Sequence, residues 1–218
     1  MSTVFAKILP TLNGMRTRIV CKQPFVRDAI LAQIILPYFS DKRIFIILYS
    51  EALYRKFMRF IENILVKFPE LNPIIRELNV IKVGKRLECK FGNLFAFVEQ
   101  GNPLEECCEL VRCLEGLSRD DVLIMHASMG FFFELLGDVR EILEIFSILP
   151  SDITLIGFKS GERTMDSLIN ELYDIIVRIE QDSMIDDLHY VVSVEWTFTD
   201  NLKEFGRFRI KNGSLADL

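Results

Sequence analysis

Histidine is scarce in this chain, which has only two, and the short signatures of several common active sites are missing. The sequence contains no H-E-x-x-H pattern, which binds zinc, and no G-x-S-x-G pattern, which positions a nucleophilic serine. It also lacks the G-x-G-x-x-G pattern that binds a dinucleotide. These absences argue against the common metalloenzyme, hydrolase and dehydrogenase classes. No catalytic residue, metal or cofactor is predicted.

Long apolar runs are missing as well. The two longest uncharged apolar stretches, Ala29–Ser40 and Val122–Phe133, have 12 residues each, whereas about 18 to 20 are needed to span a bilayer. The opening segment "MSTVFAKILPTLNGM" has one lysine and no long apolar stretch before a cleavage site, so it is a poor secretory signal. We therefore expect a cytoplasmic protein with no membrane partner.

An excess of positive charge is also missing, because the formal net charge is −5. Broad nucleic-acid surfaces need clustered Lys and Arg, so nucleic acid is not an expected partner, although a local basic patch stays open. The five cysteines are an odd number without a C-x-x-C pair, and Cys108 and Cys113 would lie about 140° apart around a helix. We expect these thiols to be reduced and buried as small apolar groups.

What the chain does contain is a regular alternation of apolar runs and amphipathic segments. Half of its 218 residues are hydrophobic, which is enough for a large core in one domain, residues 1–218. The amphipathic segments predict helices at Val26–Phe39, which Pro37 ends or bends, and after Ser50, which is placed as an N-cap. Strands are predicted at the apolar runs "RIVCK", "RIFIILY", "NVIKV", "DDVLIMHAS" and "DITLIGFK".

Two further strand predictions concern hairpins. The segment "ECKFGNLFAFVEQG" predicts a hairpin around Gly92-Asn93, and "DIIVRIEQ", "HYVVSVEWTF" and "FGRFRIKNG" predict an antiparallel meander at the end of the chain. The last of these carries Arg207, Arg209 and Lys211 at alternating positions, as a protected edge strand does. The fold class is therefore α/β: a three-layer mixed sheet, mostly parallel, with helices on both faces and an antiparallel C-terminal extension.

The order of these elements resembles the core of the RecA/KaiC-like ATPases, in which the last strands likewise run into a closing "f-x-I-x-x-G" strand. The quoted basis is "ELYDIIVRIE…HYVVSVEW…GRFRIKNGSL". The segment "ELNPIIRELNVIKVGKRLECKFGNLFAFVEQGNP" further resembles an uncharacterised archaeal family whose members lack a phosphate loop and have no known activity. The resemblance implies a single RecA/KaiC-like domain without Walker A or Walker B motifs.

The nucleotide machinery of such ATPases is not matched by the residues present. A phosphate loop needs glycines with inward-pointing N–H groups and a lysine, but the segment after the first strand holds Gln23, Pro24 and Phe25. The acidic residue that orients Mg²⁺ should end the "VLIM" strand, where His126 stands, and imidazole is a poor magnesium ligand. These departures argue against ATP hydrolysis.

The remaining hypotheses are an interaction or regulatory protein without catalysis and, as the alternative, a ligand-binding protein or enzyme. The alternative uses the crevice at the carboxyl ends of the parallel strands, where open α/β sheets bind ligands. Weak nucleotide binding without hydrolysis is a third hypothesis. The candidate crevice residues are Lys22, Gln23, Ser50, Glu51, His126, Ser128 and Lys159.

A protein partner or homo-oligomer is predicted from the surplus of large apolar side chains, which include 18 phenylalanines. Three consecutive phenylalanines cannot all face one side of a helix. The candidate interface residues are Phe131, Phe132, Phe133, Phe205, Arg207 and Arg209. The first strand is predicted to be central, so that Val20→Asp would bury an unpaired charge and unfold the domain.

Overall fold

A computed structural model describes residues 3–126, 140–159, 169–182, 188–198, 201–211 and 213–217. Ten strands and a series of helices alternate in this part of the chain. The strands are β1 (Arg16–Cys21), β2 (Ile44–Leu48), β3 (Asn79–Gly84), β4 (Asn93–Glu99), β5 (Val122–Met125), β6 (Thr154–Lys159), β7 (Ile175–Gln181), β8 (His189–Trp196), β9 (Asn201–Lys211) and β10 (Ser214–Asp217). The helices are α1 (Thr3–Leu12), α2 (Pro24–Ile30), α3 (Leu36–Tyr38), α4 (Glu51–Lys67), α5 (Asn72–Glu77), α6 (Pro103–Leu114) and α7 (Arg140–Ile148).

The ten strands form one sheet in the order β10-β9-β8-β7-β1-β6-β5-β2-β3-β4. The pairs from β7 through β4 are parallel, and the pairs joining β7, β8, β9 and β10 are antiparallel. This mixed sheet, with its antiparallel C-terminal part, is the predicted fold class. None of the helices in the described part of the chain has the length and apolar character that crossing a bilayer requires.

The core lies in two layers, one on each face of the sheet. All five residues of β2 are buried, and they alternate between the layers: Ile46 packs with one cluster, and Phe45 and Ile47 pack with the other. Helices α1, α2 and α4 cover the first face, and α6 and α7 cover the second. A continuous apolar strand is thus explained by burial on both sides, as is usual for parallel sheets.

The helix after β1 ends where proline predicts. It begins at Pro24, passes through a π-helical turn at Leu31–Ile35 and ends at Tyr38, one residue after Pro37. In the π-helical turn the Leu36 N–H donates to the Leu31 carbonyl. Because Pro37 has no N–H to donate, the ladder of backbone hydrogen bonds is interrupted there, and the helix ends one residue later.

The predicted hairpin around Gly92-Asn93 is wrong, because β4 runs parallel to β3. Residues between the two strands return the chain to the start of β3, where the Asn93 N–H donates to the Leu78 carbonyl at 2.7 Å. Gly92 has φ +61°, and a Cβ atom there would collide with that same carbonyl. The glycine is therefore required by a close crossing and not by a hairpin turn.

The C-terminal edge also differs from the prediction. Strand β9 was expected to be an edge strand, but β10 pairs with its last residues, from Phe208 to Lys211. Arg209 is therefore in a strand paired on both sides. The Asp217 carboxylate accepts hydrogen bonds from the Thr3 N–H at 2.8 and 2.9 Å, which ties β10 to α1. The sequence pattern does not predict either α1 or β10.

Candidate functional site

The connections on the two faces of the sheet make a crevice beside β1. The chain leaves β1 and β2 into α2 and α4 on one face, whereas α6 and α7, which lead into β5 and β6, lie on the other face. Strand β1 neighbours β6, so the direction of winding reverses between them. In open α/β sheets such a reversal opens a crevice at the carboxyl ends of the two strands, here on the β6 side of β1.

A cavity of about 430 Å³ lies at the carboxyl ends of β1 and β7. We call it the β1–β7 cavity. Lys22 and Gln23, both predicted crevice residues, line this cavity. A third predicted crevice residue, Lys159, lies on the neighbouring strand β6, in register with the lining residue Val20 of β1. The full lining is Val20, Lys22, Gln23, Arg178, Ile179, Glu180 and Gln181.

The position of Val20 corrects one sequence-based expectation. Strand β1 is central, as predicted, but Val20 is only half-buried and points toward this cavity, between Lys159 of β6 and Arg178 of β7. Its neighbour Ile19 is 2% exposed and packs with α2 in the apolar core. Side chains alternate between faces along a strand, so a charge at position 20 meets cations and not an apolar layer.

Below the cavity, β1 carries a buried arginine. The Arg18 guanidinium donates to the Asn170 carboxamide and lies 5.8 Å from the centre of the Tyr173 ring. Gly157, in register with Arg18 on β6, makes this arrangement possible, because a Cβ there would be 2.5 Å from the Tyr173 hydroxyl. Burial, with the nearby Arg18, lowers the pKa of the Lys159 ammonium to about 8.

The far wall of the cavity is tied together by polar side chains. The Arg178 guanidinium donates to the Glu195 carboxylate at 2.9 Å, which fixes it against β8. The Gln23 carboxamide donates to that of Gln181 at 3.2 Å across the cavity mouth. Sequence reasoning missed Arg178 and Gln181. The available signal was the alternation of charged with apolar residues in "DIIVRIEQ", which places Arg178 and Glu180 on one face.

His126 lies on the other face of the sheet, away from this cavity. It is 3% exposed, and its ring meets the Phe57 ring edge-on at 4.8 Å. Its Nε2 atom is 3.8 Å from the Asp28 carboxylate and has no hydrogen-bond partner among the described residues. Burial lowers the pKa of His126, and the neighbouring Arg27 contributes in the same direction.

Asp28 connects His126 to the helix that follows β1. Its carboxylate accepts hydrogen bonds from the Arg27 guanidinium at 2.9 and 3.1 Å. Burial acts to raise the pKa of Asp28, but His126 and Arg27 together outweigh burial, so the pKa is lowered. The Asp28 carboxylate is therefore already engaged by Arg27, with His126 nearby.

Ser50 and Glu51 make structural contacts at the ends of β2 and β3. The Ser50 hydroxyl accepts a hydrogen bond from the Leu53 N–H at 3.2 Å, which confirms the predicted N-cap of α4. Glu51 lies 3.3 Å from the ammonium of the fully buried Lys82. That ammonium also donates to the Arg86 and Glu88 carbonyls, at 2.7 and 2.8 Å. The structure thus divides the predicted crevice residues into three groups: Lys22, Gln23 and Lys159 beside the β1–β7 cavity, His126 on the other face of the sheet, and Ser50 and Glu51 at the ends of β2 and β3. Ser128 lies outside the described residues.

The predicted interface residues are also divided. Phe131, Phe132 and Phe133 lie outside the described residues. Phe205 is half-buried beside Trp196, with 5.9 Å between ring centres, and Arg207 is 3.5 Å from the Asp182 carboxylate. Arg209 is exposed.

Only two residues, Lys22 and Gln23, connect β1 to α2. Pro24 opens the helix and has no N–H, and no side chain caps its first turn. Within the described ranges, no group of three or more His, Cys, Asp and Glu side chains is placed to hold a metal ion.

Two solved structures from Pyrococcus horikoshii OT3 are similar to this chain. One, from a structural study of project PH0250, has a TM-score of 0.54 and 15% identity, covering 100% of this chain and 98% of that one. The other is the KaiC-like protein PH0186, with a TM-score of 0.54 and 11% identity, covering 94% of this chain and 89% of the other. The fold is RecA/KaiC-like. At these identities the likeness shows the fold alone, and no protein-family model and no curated protein matches the chain.

Within this RecA/KaiC-like fold, the two carboxyl-end regions have different character. Next to α2 and α4, His126, Asp28 and Phe57 contact one another or lie within 5 Å. A second cavity, of about 270 Å³, lies between these two helices and is lined by Asp28 and Phe60 among others. The region next to β7 contains the open β1–β7 cavity with Lys22 and Arg178. Of these two cavities, the one on the Val20 face of β1, opposite α2, is the larger.

Proposed function

We propose that this protein is a non-catalytic interaction or regulatory protein built on a degenerate ATPase fold. The observation that carries the proposal is the two-residue connection between β1 and α2. A phosphate loop surrounds the phosphates with consecutive backbone N–H groups, and two residues followed by a proline are too few to do so. The resemblance to the uncharacterised archaeal family, whose members also lack this loop, supports the same proposal, and PH0186 comes from a hyperthermophilic archaeon.

The end of β5 supports the absence of catalysis. Mg²⁺ requires oxygen ligands, and the residue after β5 is the buried His126, packed against Phe57. The nearest carboxylate, Asp28, is hydrogen-bonded to Arg27. A metal–nucleotide complex would have to displace these contacts. We propose that the protein acts in the cytoplasm without hydrolysing ATP.

Calorimetric titration with MgATP tests this proposal. We expect no saturable binding below millimolar concentration and no turnover above background, because neither a phosphate loop nor a magnesium carboxylate is present. The same titration with ATP in the absence of Mg²⁺ is the control for metal-independent binding. Micromolar affinity for MgATP would contradict the proposal.

An interaction protein needs a contact surface, and we propose the edge of β4. This strand is the last in the sheet and contains one charged residue, Glu99, in seven. Phe95 is 45% exposed, whereas every residue of β2 is buried. The edge contains no lysine or proline, and its one irregularity against β3 is a β-bulge at Phe95. We propose that the strand pairs with another strand in spite of this bulge.

A second copy of the same strand fits this edge. If two β4 strands pair antiparallel about Ala96, Phe95 lies opposite Phe97 of the second copy, and the new pairing has to accommodate the bulge that Phe95 forms against β3. Glu99 then lies opposite a neutral asparagine, Asn93, so no like charges meet. A two-fold dimer of this kind joins two sheets into one.

Small-ligand binding is the second candidate function. The observation that favours it is the β1–β7 cavity, whose volume of about 430 Å³ is within the usual range of ligand sites. It lies at the carboxyl ends of parallel strands, where α/β folds bind ligands.

A further inference from the structure

The cavity between α2 and α4, which we call the α2–α4 cavity, has a mainly apolar lining. Three aromatic and three aliphatic side chains contribute to it: Phe25, Phe60, Phe68, Ala29, Ile64 and Ile210. Phe25 is 50% exposed, so the described residues leave part of this apolar surface uncovered. An apolar cavity of about 150 Å³ can hold benzene. At about 270 Å³, the α2–α4 cavity has room for a larger aromatic molecule.

Contacts between distant segments hold the walls of this cavity together. Gln33 lies in the π-helical turn that follows α2, and its Nε2 donates to the Gly213 carbonyl at 2.9 Å. Its Oε1 accepts a hydrogen bond from the Leu215 N–H of β10 at 3.0 Å. Gly213 in turn lies beside the Lys67 ammonium of α4. The walls are therefore in place without a ligand, which reduces the entropy lost on binding.

The polar part of the lining offers a hydrogen-bond acceptor. Asp28 is the one acid and Lys67 the one base among the lining residues, so neither sign of charge is in excess there. Both hydrogen bonds from Arg27 end on Oδ1 of Asp28, and the His126 Nε2 is 3.8 Å from that same oxygen. Among the described residues, none donates to Oδ2. Although burial opposes them, His126 and Arg27 lower the pKa of Asp28, so this acceptor is ionised at neutral pH.

We propose that the α2–α4 cavity binds a neutral aromatic molecule of one or two rings that carries one hydrogen-bond donor. Its rings pack among Phe25, Phe60 and Phe68, and its donor meets Oδ2 of Asp28. Aromatic rings pack favourably against one another, and a hydrogen bond to a carboxylate is about twice as strong as one between neutral groups. The inference goes beyond the proposed function and does not depend on it, because this cavity lies on the sheet face opposite the β1–β7 cavity.

The test compares indole with benzofuran, which has the same shape but an oxygen in place of the ring N–H. Amide NMR titration of the full chain follows binding. With indole we expect saturable shifts around Ala29 and Ile64, with a dissociation constant of about a millimolar or lower. Benzofuran should bind at least about fivefold more weakly, because it has no hydrogen to donate to Asp28. Equal binding of the two compounds, shifts that map to another surface, or no saturable binding would each overturn the inference.

Asp28→Asn tests the acceptor directly. It keeps the shape of the side chain but removes the charge, so the preference for indole over benzofuran should fall. Asp152→Asn is the matched control, since Asp152 is exposed, precedes β6 and does not line the cavity. It should keep the full preference. The amide spectrum shows whether each variant is folded, and an unchanged preference in folded Asp28→Asn protein would contradict the role given to Asp28.

Discussion

Ile19 and Val20 are adjacent in β1, but their side chains lie on opposite faces of the sheet. Ile19 contributes to the apolar layer beneath α2, and Val20 lines the β1–β7 cavity. The consequence for stability is large, because an isolated charge is tolerated only where water or an opposite charge is near.

We predict that Ile19→Asp lowers the free energy of unfolding by at least about 3 kcal/mol, because it buries a carboxylate without a partner. Val20→Asp should change it by less than about 1 kcal/mol, since the new carboxylate lies near Lys159 and Arg178 at a half-buried site. Urea unfolding of both variants measures the difference. Similar losses in the two variants would contradict the assignment of faces.

His126 gives a second prediction at this scale. Burial holds its pKa below the value of 6.5 that it has when exposed, so the unfolded chain binds a proton more readily than the folded protein. The His126 contribution to stability is therefore complete above about pH 6.5 and is lost as the pH falls below that value through the lowered pKa of the folded protein. The charged groups facing His126 are Asp28 and Arg27 of α2 and Lys56 of α4.

Replacing His126 with leucine should flatten this pH dependence, because the ionisable group is gone. Urea unfolding between pH 5 and pH 7.5, run on both proteins, measures it. His189→Gln removes the other histidine, so that the contribution of each histidine to the pH profile is measured separately. An unchanged profile in His126→Leu would show that other groups cause the loss of stability in acid.

At the scale of elements, α4 was predicted correctly because its start and its apolar stripe are both local features. Ser50 precedes the helix, and Phe57, Ile61 and Ile64 form a buried apolar stripe along it. Strand β4 was predicted as a strand, but in an antiparallel hairpin, whereas it pairs parallel to β3. Its direction depends on the buried Lys82, which holds the loop after β3, and on the crossing at Gly92.

The cap of α4 leads to a third prediction. Ser50→Ala removes the acceptor for the Leu53 N–H, so the free energy of unfolding should fall by about 1 kcal/mol. Ser50→Asp is the matched control, because a carboxylate also accepts this hydrogen bond and should restore most of the loss. Chemical denaturation measures both. No change in Ser50→Ala would indicate that the N–H finds another acceptor.

At the scale of the whole molecule, the two ends of the sheet differ in protection. Strand β10 has four residues and is tied to α1 through Asp217. Strand β4 has seven residues and an exposed Phe95. The sequence analysis predicted self-association through Phe131–Phe133 or the Phe205–Lys211 segment, and the open β4 edge is the surface that we now favour.

We predict a homo-oligomer, most simply a two-fold dimer, with a mass of at least twice 25.3 kDa. Light scattering at micromolar concentration measures it. Phe95→Lys should shift the mass toward the monomer, because lysine would replace one ring of the cross-strand aromatic pair.

Phe198→Lys is the matched control for this prediction, since Phe198 is 67% exposed and lies beyond β8, away from β4. It should leave the mass unchanged. A monomeric parent protein would remove the basis for self-association. A dimer that persists in Phe95→Lys would assign the interface to another surface.

Local sequence patterns were enough to predict nine of the ten described strands, the helices after β1 and β2, the cap at Ser50 and the absence of phosphate-loop residues, because each depends on residues close together in the chain. It also identified Lys22, Gln23 and Lys159 as carboxyl-end residues. Which of these residues share a cavity depends on how distant segments pack together. The cavity joins β1 to β7, more than 150 residues apart in the chain, and strand order is set by packing between distant segments, which no local period encodes.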